Sequence, residues 1–204
     1  DDFFMENKYM SVEFDKETGF IKSLIDKNTG VDYAGENFLA IPTVIEDCKT
    51  DTWAHNVFKF HEIKGFMELQ SIERIESGAL RSVIRTKHKF NDSYLTQEFI
   101  LAKNQKTLRV DCKAMWQEQF TLLKFAFPTG GKDEISTYEI PCGYIKRPCD
   151  GDEEVALNWA DLTVNKDGKR AGLSVISDSK YSYDCPGAEL RLTALRNVIF
   201  ADHY

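Results

Sequence analysis

Residues 9–30, YMSVEFDKETGFIKSLIDKNTG, decide the fold class. From residue 9 to residue 15 apolar and polar side chains alternate, placing Met10, Val12 and Phe14 on one face. Period two is the mark of a strand with one face buried. Asp15-Lys16-Glu17-Thr18-Gly19 comes next, followed by a short run over 20–26 and then by Asp26-Lys27-Asn28-Thr29-Gly30, nearly the same pentad again. An Asp can accept hydrogen bonds from the backbone just after it, and Gly tolerates positive φ, so each D-K-x-T-G can reverse a strand. The pair predicts a meander of short antiparallel strands.

Outward from this stretch the same period recurs. Strands are predicted over 39–45, 57–63, 68–75, 79–90, 94–101, 107–116, 120–127, 171–176 and 189–200. The 79–90 run carries Arg81, Arg85, Lys87 and Lys89 on its outer face. Gly130-Gly131 and 141–152 read as irregular segments. No window has a 3.6-residue apolar stripe bounded by caps. Long alternating strands without intervening helices predict an all-β protein of packed antiparallel sheets. No linker divides the chain, and residues 1–204 are expected to form a single β-sandwich domain.

The 204 residues include 26 basic and 33 acidic side chains, interspersed, for a net charge of -7. With no basic stripe, neither nucleic acid nor an anionic membrane is the expected partner. No apolar run approaches the roughly 18 residues of a membrane span. The chain opens at Asp1 and closes on Asp202-His203-Tyr204, and both ends read as cuts in a longer polypeptide. Five cysteines, Cys48, Cys112, Cys142, Cys149 and Cys185, are widely spaced and form no CxxC. Buried free thiols in a reducing compartment, hence a cytoplasmic location, are the expectation.

Chemistry-bearing residues are few. His55, His61, His88 and His203 form no HxH, HxxxH or HExxH, so no zinc site is expected from this chain. His61 and His88 read as strand histidines. Asp152-Glu153-Glu154 reads as a solvated loop. The densest segment is Glu46-Asp47-Cys48-Lys49-Thr50-Asp51-Thr52-Trp53-Ala54-His55-Asn56, which gathers acid, aromatic ring and imidazole. A Trp beside a carboxylate suits a sugar, the ring covering C–H faces while the acid takes hydroxyls. A core Trp preceded by an Asx turn is the competing reading. GxSxG, P-loop, GxGxxG and Cys–His nucleophile patterns are all missing from the sequence. The residues alone thus define an all-β domain with one polar, aromatic loop.

Several motifs together resemble the C-terminal half of glycoside hydrolase family 38, the α-mannosidases. Glu6-Asn7-Lys8-Tyr9-Met10-Ser11-Val12-Glu13-Phe14-Asp15, Thr18-Gly19-Phe20-Ile21-Lys22-Ser23-Leu24 and Asp26-Lys27 are similar to that family's first C-terminal hairpin. Asp51-Thr52-Trp53-Ala54-His55 resembles its D-x-W segment. Residues 116–128, with Leu122-Leu123-Lys124-Phe125, resemble its "W-x-E…LLK-x-x-FP" strand pair, and Tyr138-Glu139-Ile140-Pro141-Cys142-Gly143-Tyr144-Ile145-Lys146-Arg147-Pro148 its "YEIPYGxIxRP". Glu154-Val155 with Trp159 and Asp161 is similar to "EVPxxxWVDL", with Ala156 in place of the usual Pro. Asp178-Ser179-Lys180-Tyr181-Ser182-Tyr183 is similar to "NDxKYGYD", with Ser182 in place of Gly, and 190–196 to "LRLTLLR".

The resemblance spans almost the whole chain in order. It implies an antiparallel supersandwich of the galactose-mutarotase-like kind. It also implies a larger multidomain α-mannosidase, retaining and zinc-dependent, from which this domain is excised. In that family zinc is held by two His and two Asp, one Asp being the nucleophile, on an N-terminal barrel and at the start of a helical bundle. None of those motifs maps here, so the chain's own catalytic residues are expected to be none, its cofactor none, and its partners that barrel and bundle together with mannosides. Asp51, Trp53 and His55, and Arg196 by resemblance to an arginine that approaches substrate, are the candidate substrate-binding residues. Arg196 reads equally well as a strand-end arginine pairing with a carboxylate. Two other functions compete with the enzyme domain: a stand-alone carbohydrate-binding module using Trp53, and a sugar mutarotase, for which no His–carboxylate pair stands out.

Overall fold

The computed structural model describes residues 3–48 and 51–199. Among them every regular element is a β-strand and every strand pairing is antiparallel. The strands group into two units. One is the chain up to Leu39 with Met67–Glu118; the other is Ala40–Phe66 with the chain from Gln119 onward.

In the first unit β1 (Phe4–Glu6), β2 (Met10–Phe14), β3 (Ile21–Asp26) and β4 (Val31–Asp32) form the meander in the order β1-β2-β3-β4. Both pentads turn as their chemistry requires. Asp15 Oδ1 accepts the Thr18 N–H at 2.7 Å and the Thr18 hydroxyl at 2.8 Å; Asp26 Oδ1 accepts the Asn28 N–H at 2.8 Å. Gly19 and Gly30 each close a turn at φ 71°. A Cβ at Gly19 would also lie 2.5 Å from Leu69.

The chain leaves this unit for β5 (Ile41–Glu46) and β6 (Ile63–Phe66) and returns as β7 (Glu68–Ser77), β8 (Arg81–Phe90), β9 (Ser93–Ala102) and β10 (Leu108–Met115), ordered β10-β9-β8-β7. β9 alternates cleanly, burying Leu95, Phe99 and Leu101. Phe99 meets Phe14 of the meander edge to face at 4.8 Å, so the two sheets share one core. His88 is buried in β8 and stacks on Phe20 at 5.5 Å.

The second unit adds β11 (Thr121–Pro128), β12 (Lys132–Ile140), β13 (Gly143–Arg147), β14 (Glu154–Val155), β15 (Trp159–Lys166), β16 (Lys169–Ile176), β17 (Ser182–Asp184) and β18 (Glu189–Asn197). A six-stranded sheet runs β14-β17-β18-β11-β5-β6 and a four-stranded one β13-β12-β15-β16. β11 lies in the middle of the larger sheet, and its residues from Thr121 through Ala126 are buried on both faces. A bulge between Leu123 and Lys124 shifts its register against β18.

Four readings need correction. Residues 57–63 are not a strand: only Ile63 joins β6, with Glu62 O accepting the Glu46 N–H at 2.8 Å, and the rest is loop in which Phe60 packs inward on Ile45 and Leu122. Segment 141–152 is not wholly irregular, since it contains β13, whose exposed outer edge hid the alternation. Of the five cysteines only Cys185 is buried; Cys112, on the terminal strand β10 opposite Gln97, and Cys142, in the β12–β13 turn, are exposed. His61 is an exposed loop residue, not a strand histidine. The last residue of the 189–200 run, and His203, lie outside the described residues.

Candidate functional site around Trp53 and Arg196

The site begins where β5 ends. Glu46 still pairs with Thr121, and the Asp47 N–H donates to Phe120 O at 2.9 Å. Beyond this the chain turns over the face of the sheet that carries Ile45 and Leu122. Phe60 packs on both, with Cys48, Ala54 and Val57 around it. Ala54 and Asn56 adopt positive φ, 55° and 60°. Left-handed backbone at a non-glycine residue costs energy and persists only where surrounding contacts hold it.

The Ala54 N–H donates to Asp51 O at 3.3 Å and the Val57 N–H to Ala54 O at 3.0 Å, while Arg196 holds the residues just before them. Arg196 sits on β18 opposite Leu122. Its Nε donates to Asp47 Oδ1 at 3.0 Å, Nη1 to Thr52 O at 2.9 Å and Nη2 to Cys48 Sγ at 3.6 Å, and its guanidinium lies 5.2 Å from the Phe60 ring centre. The Thr52 hydroxyl donates to Ile199 O at 2.7 Å. The guanidinium therefore clamps both ends of the turn, and its planar fork suits that task better than an ammonium.

Trp53 and His55 stand outward from this clamp. Trp53 is 61% exposed and stacks on His55 at 5.9 Å and 29°. Asp51 accepts the His55 N–H at 3.3 Å, and its second oxygen lies 3.3 Å from His55 Nδ1. Desolvation would raise the Asp51 carboxyl, but the backbone donor and imidazole of His55 outweigh it and hold it below the usual carboxylate range. Trp53 and His55 thus face outward, the Asp51 side chain held against His55 is only 13% exposed, and Arg196 holds the intervening Thr52 carbonyl. An exposed tryptophan plane with a carboxylate beside it can take the apolar face of a sugar ring and one of its hydroxyls. The adjoining cleft, from Glu46 to Cys48 and Val57 to Glu62, holds about 210 Å³. That is below the ~300 Å³ at which ligand pockets commonly begin. Among the described residues no group of three His, Cys, Asp or Glu could hold a metal ion.

A second polar cluster on the same sheet face escaped the sequence reading. Lys124, fully buried, donates to Asp184 Oδ2 at 2.9 Å and to Glu153 Oε2. Arg191 donates from Nε to Asp184 Oδ1 at 2.7 Å. Glu153 Oε1 accepts the hydroxyls of Ser182 at 2.6 Å and Thr193 at 2.5 Å. Desolvation would raise the Glu153 carboxyl, but Lys124 and these donors prevail and lower it. Glu153 is therefore an internal ion-pair partner, not part of a solvated loop. One signal was available: a lysine in the otherwise apolar run Leu122-Leu123-Lys124-Phe125-Ala126-Phe127, where a buried charge requires a partner.

The described residues thus make an all-antiparallel β protein carrying one exposed aromatic loop with a carboxylate beside it. Here the family is defined: residues 5–204 match the model of the glycosyl hydrolases family 38 C-terminal domain, and the chain belongs to that family. It is 25% identical over 213 aligned positions to alpha-mannosidase G of Dictyostelium discoideum, an alignment covering 96% of this chain and 19% of that one. With human alpha-mannosidase 2C1 it shares 30% identity over 113 positions, 52% of this chain and 10% of the relative. The chain thus spans about a fifth or less of the relatives it matches. In fold it superimposes on an alpha-mannosidase from Enterococcus faecalis V583 with a TM-score of 0.79 and 15% identity, covering 96% of this chain and 26% of that structure.

Proposed function

We propose that this domain completes a retaining, zinc-dependent α-mannosidase that hydrolyses terminal α-mannosides, supporting and partly walling its active site. Membership of the family 38 C-terminal domain is the observation that carries this reading. The four sheets are read as a supersandwich of the galactose-mutarotase-like kind, with residues 1–204 as one domain. Zinc is assigned to an N-terminal catalytic barrel and helical bundle of the same polypeptide. The described residues of this chain offer no ligand set that fits it, so no step of the chemistry is routed through a metal here.

Retention requires two carboxyl groups about 5–5.5 Å apart across the glycosidic bond. Asp47 and Glu153 are committed to Arg196 and Lys124, which leaves them unsuited to that task. The chain's part is then to orient substrate: Trp53 covering a sugar face, Asp51 and His55 taking hydroxyls, and Arg196 fixing the loop that carries them. Cytoplasmic residence is part of the same proposal, supported by the odd number and wide spacing of the five cysteines. Exposure of Trp53 also favours a second reading, a stand-alone carbohydrate-binding module.

One pair of measurements separates the two. The domain alone and the polypeptide carrying it with the catalytic barrel are each assayed on an aryl α-mannoside, with and without chelator. Chelator-sensitive hydrolysis by the longer form only, with no mannoside binding by the domain alone, is expected. Mannoside binding by the isolated domain that is lost in Trp53→Ala, while the longer form keeps its activity with that substitution, would favour the binding module.

A further inference from the structure

Outside the candidate site, two cysteines face each other across an isolated strand bridge in the second unit. Asp150 pairs antiparallel with Pro186. The flanking bonds are Gly187 N–H to Cys149 O at 3.0 Å and Gly151 N–H to Cys185 O at 3.1 Å. Pro186 fits the central position because this pairing asks no N–H of it. Cys149 therefore lies opposite Gly187, and Cys185 opposite Gly151, both cysteines on the same side of the ladder. The Cys185 thiol donates to Gly187 O at 3.2 Å, which brings its sulfur to the residue facing Cys149.

We propose that Cys149 and Cys185 are a redox modification site, joined by peroxide into a reversible intramolecular disulfide. Cys149 is half-buried and reachable, whereas Cys185 is buried. Burial, and then the neighbouring Cys149, push the Cys185 thiol up, which suits it to resolve rather than to attack first. The Cys149 sulfur attacks one oxygen of hydrogen peroxide. The O–O bond breaks, leaving a sulfenic acid on Cys149 and releasing water. The Cys185 sulfur then displaces the hydroxyl from that sulfenic sulfur. An S–S bond forms, the S–O bond breaks, and the Cys185 proton leaves with the hydroxyl as a second water. Two thiols are oxidised and one peroxide is reduced.

Diagonal partners on a regular antiparallel ladder have Cα atoms about 7–8 Å apart, and a disulfide spans roughly 4.4–6.8 Å. Closing the bond therefore requires the two segments to move together. Gly151 and Gly187, at φ 85° and 67°, flank the bridge where the backbone can yield. The moved segment matters to the rest of the unit. Asp150 O accepts Lys59 Nζ at 2.8 Å, and the Glu153 N–H donates to Phe58 O at 2.7 Å. A crosslink at Cys149 would tether the segment that closes over Lys124.

The test is peptide mapping of the native protein after hydrogen peroxide at low molar excess, with thiols blocked before unfolding. The expected result is a 149–185 linked peptide, loss of two of the five thiols, their recovery with dithiothreitol, and a Tm higher by roughly 5 °C. In Cys149→Ser, Cys185 should stay reduced. Sulfinic acid on Cys149 without a link would overturn the proposal. So would first linkage through Cys48, Cys112 or Cys142, or five intact thiols after excess peroxide.

Discussion

Arg196 Nε donates to Asp47 Oδ1 at 3.0 Å, tying β18 to the first residue past β5, and Asp47 is fully buried with its Oδ2 unpartnered among the described residues. Removing the guanidinium leaves that carboxylate without its cation. Breaking a buried pair from one side costs about 3–5 kcal/mol. At ~2–4 °C per kcal/mol for a chain of this size, Arg196→Ala should lower Tm by about 10 °C. Arg196→Lys keeps the charge but not the fork that reaches Thr52 O and Cys48, and should lose about half as much. Thermal melts of the two variants check this. Equal, negligible shifts would mean that the clamp does not hold the loop.

The Lys124 cluster ties stability to pH. Glu153 has a lowered folded-state carboxyl, so its contribution is full above the ordinary carboxylate range and is lost as pH falls through the lowered value. Glu189 acts in the opposite sense: burial raises its carboxyl, with Arg191 opposing, so its contribution declines as pH rises above the ordinary range. Lys124→Ala leaves Glu153 and Asp184 without their shared cation and should cost about 3–5 kcal/mol at neutral pH. It should also flatten the acid limb of a Tm-against-pH curve. A variant limb as steep as the parent's would place the acid sensitivity elsewhere.

His88 supplies a second pH dependence, higher on the scale. Its Nε2 donates to Thr18 O at 2.9 Å, while Nδ1 is buried without a partner among the described residues. Burial lowers its folded pKa, with the Thr18 bond opposing. The folded state thus binds this proton less readily than the unfolded chain, and stability falls as pH drops below 6.5. His88→Gln, which retains a donor for Thr18 O, should show no loss of Tm between pH 7 and about pH 5.5 where the parent does. Identical slopes over that interval would exclude His88 as its source.

The readability of this fold followed the exposure of its faces. β2 and β9 each bury one face, so their period-two pattern, like the D-K-x-T-G pentads, is plain in the sequence. β11 buries both faces; its strand is predicted over 120–127, but the lysine within it is not read there as a demand for buried acids. β12, β13 and β15 were missed, although Asp167-Gly168, at φ 52° and 74° between β15 and β16, is a hairpin signal of the kind a type I′ turn requires. In the site, Asp51, Trp53 and His55 were legible as a concentration of chemistry in one loop. The partners Asp47 and Arg196, 149 positions apart, could be joined only by folding.

Trp53→Ala, with Tm and kcat/KM measured together in the full mannosidase polypeptide, tests the central claim that this loop serves the sugar site. Burying a tryptophan in a core makes its truncation cost about 3–5 kcal/mol. At 61% exposure Trp53 lacks that burial, and its loss should shift Tm by less than about 2 °C. The same substitution should reduce kcat/KM on an α-mannoside by roughly tenfold or more, the equivalent of about 1.4 kcal/mol of lost transition-state binding. A Tm that collapses while the folded enzyme retains its full kcat/KM would contradict the account.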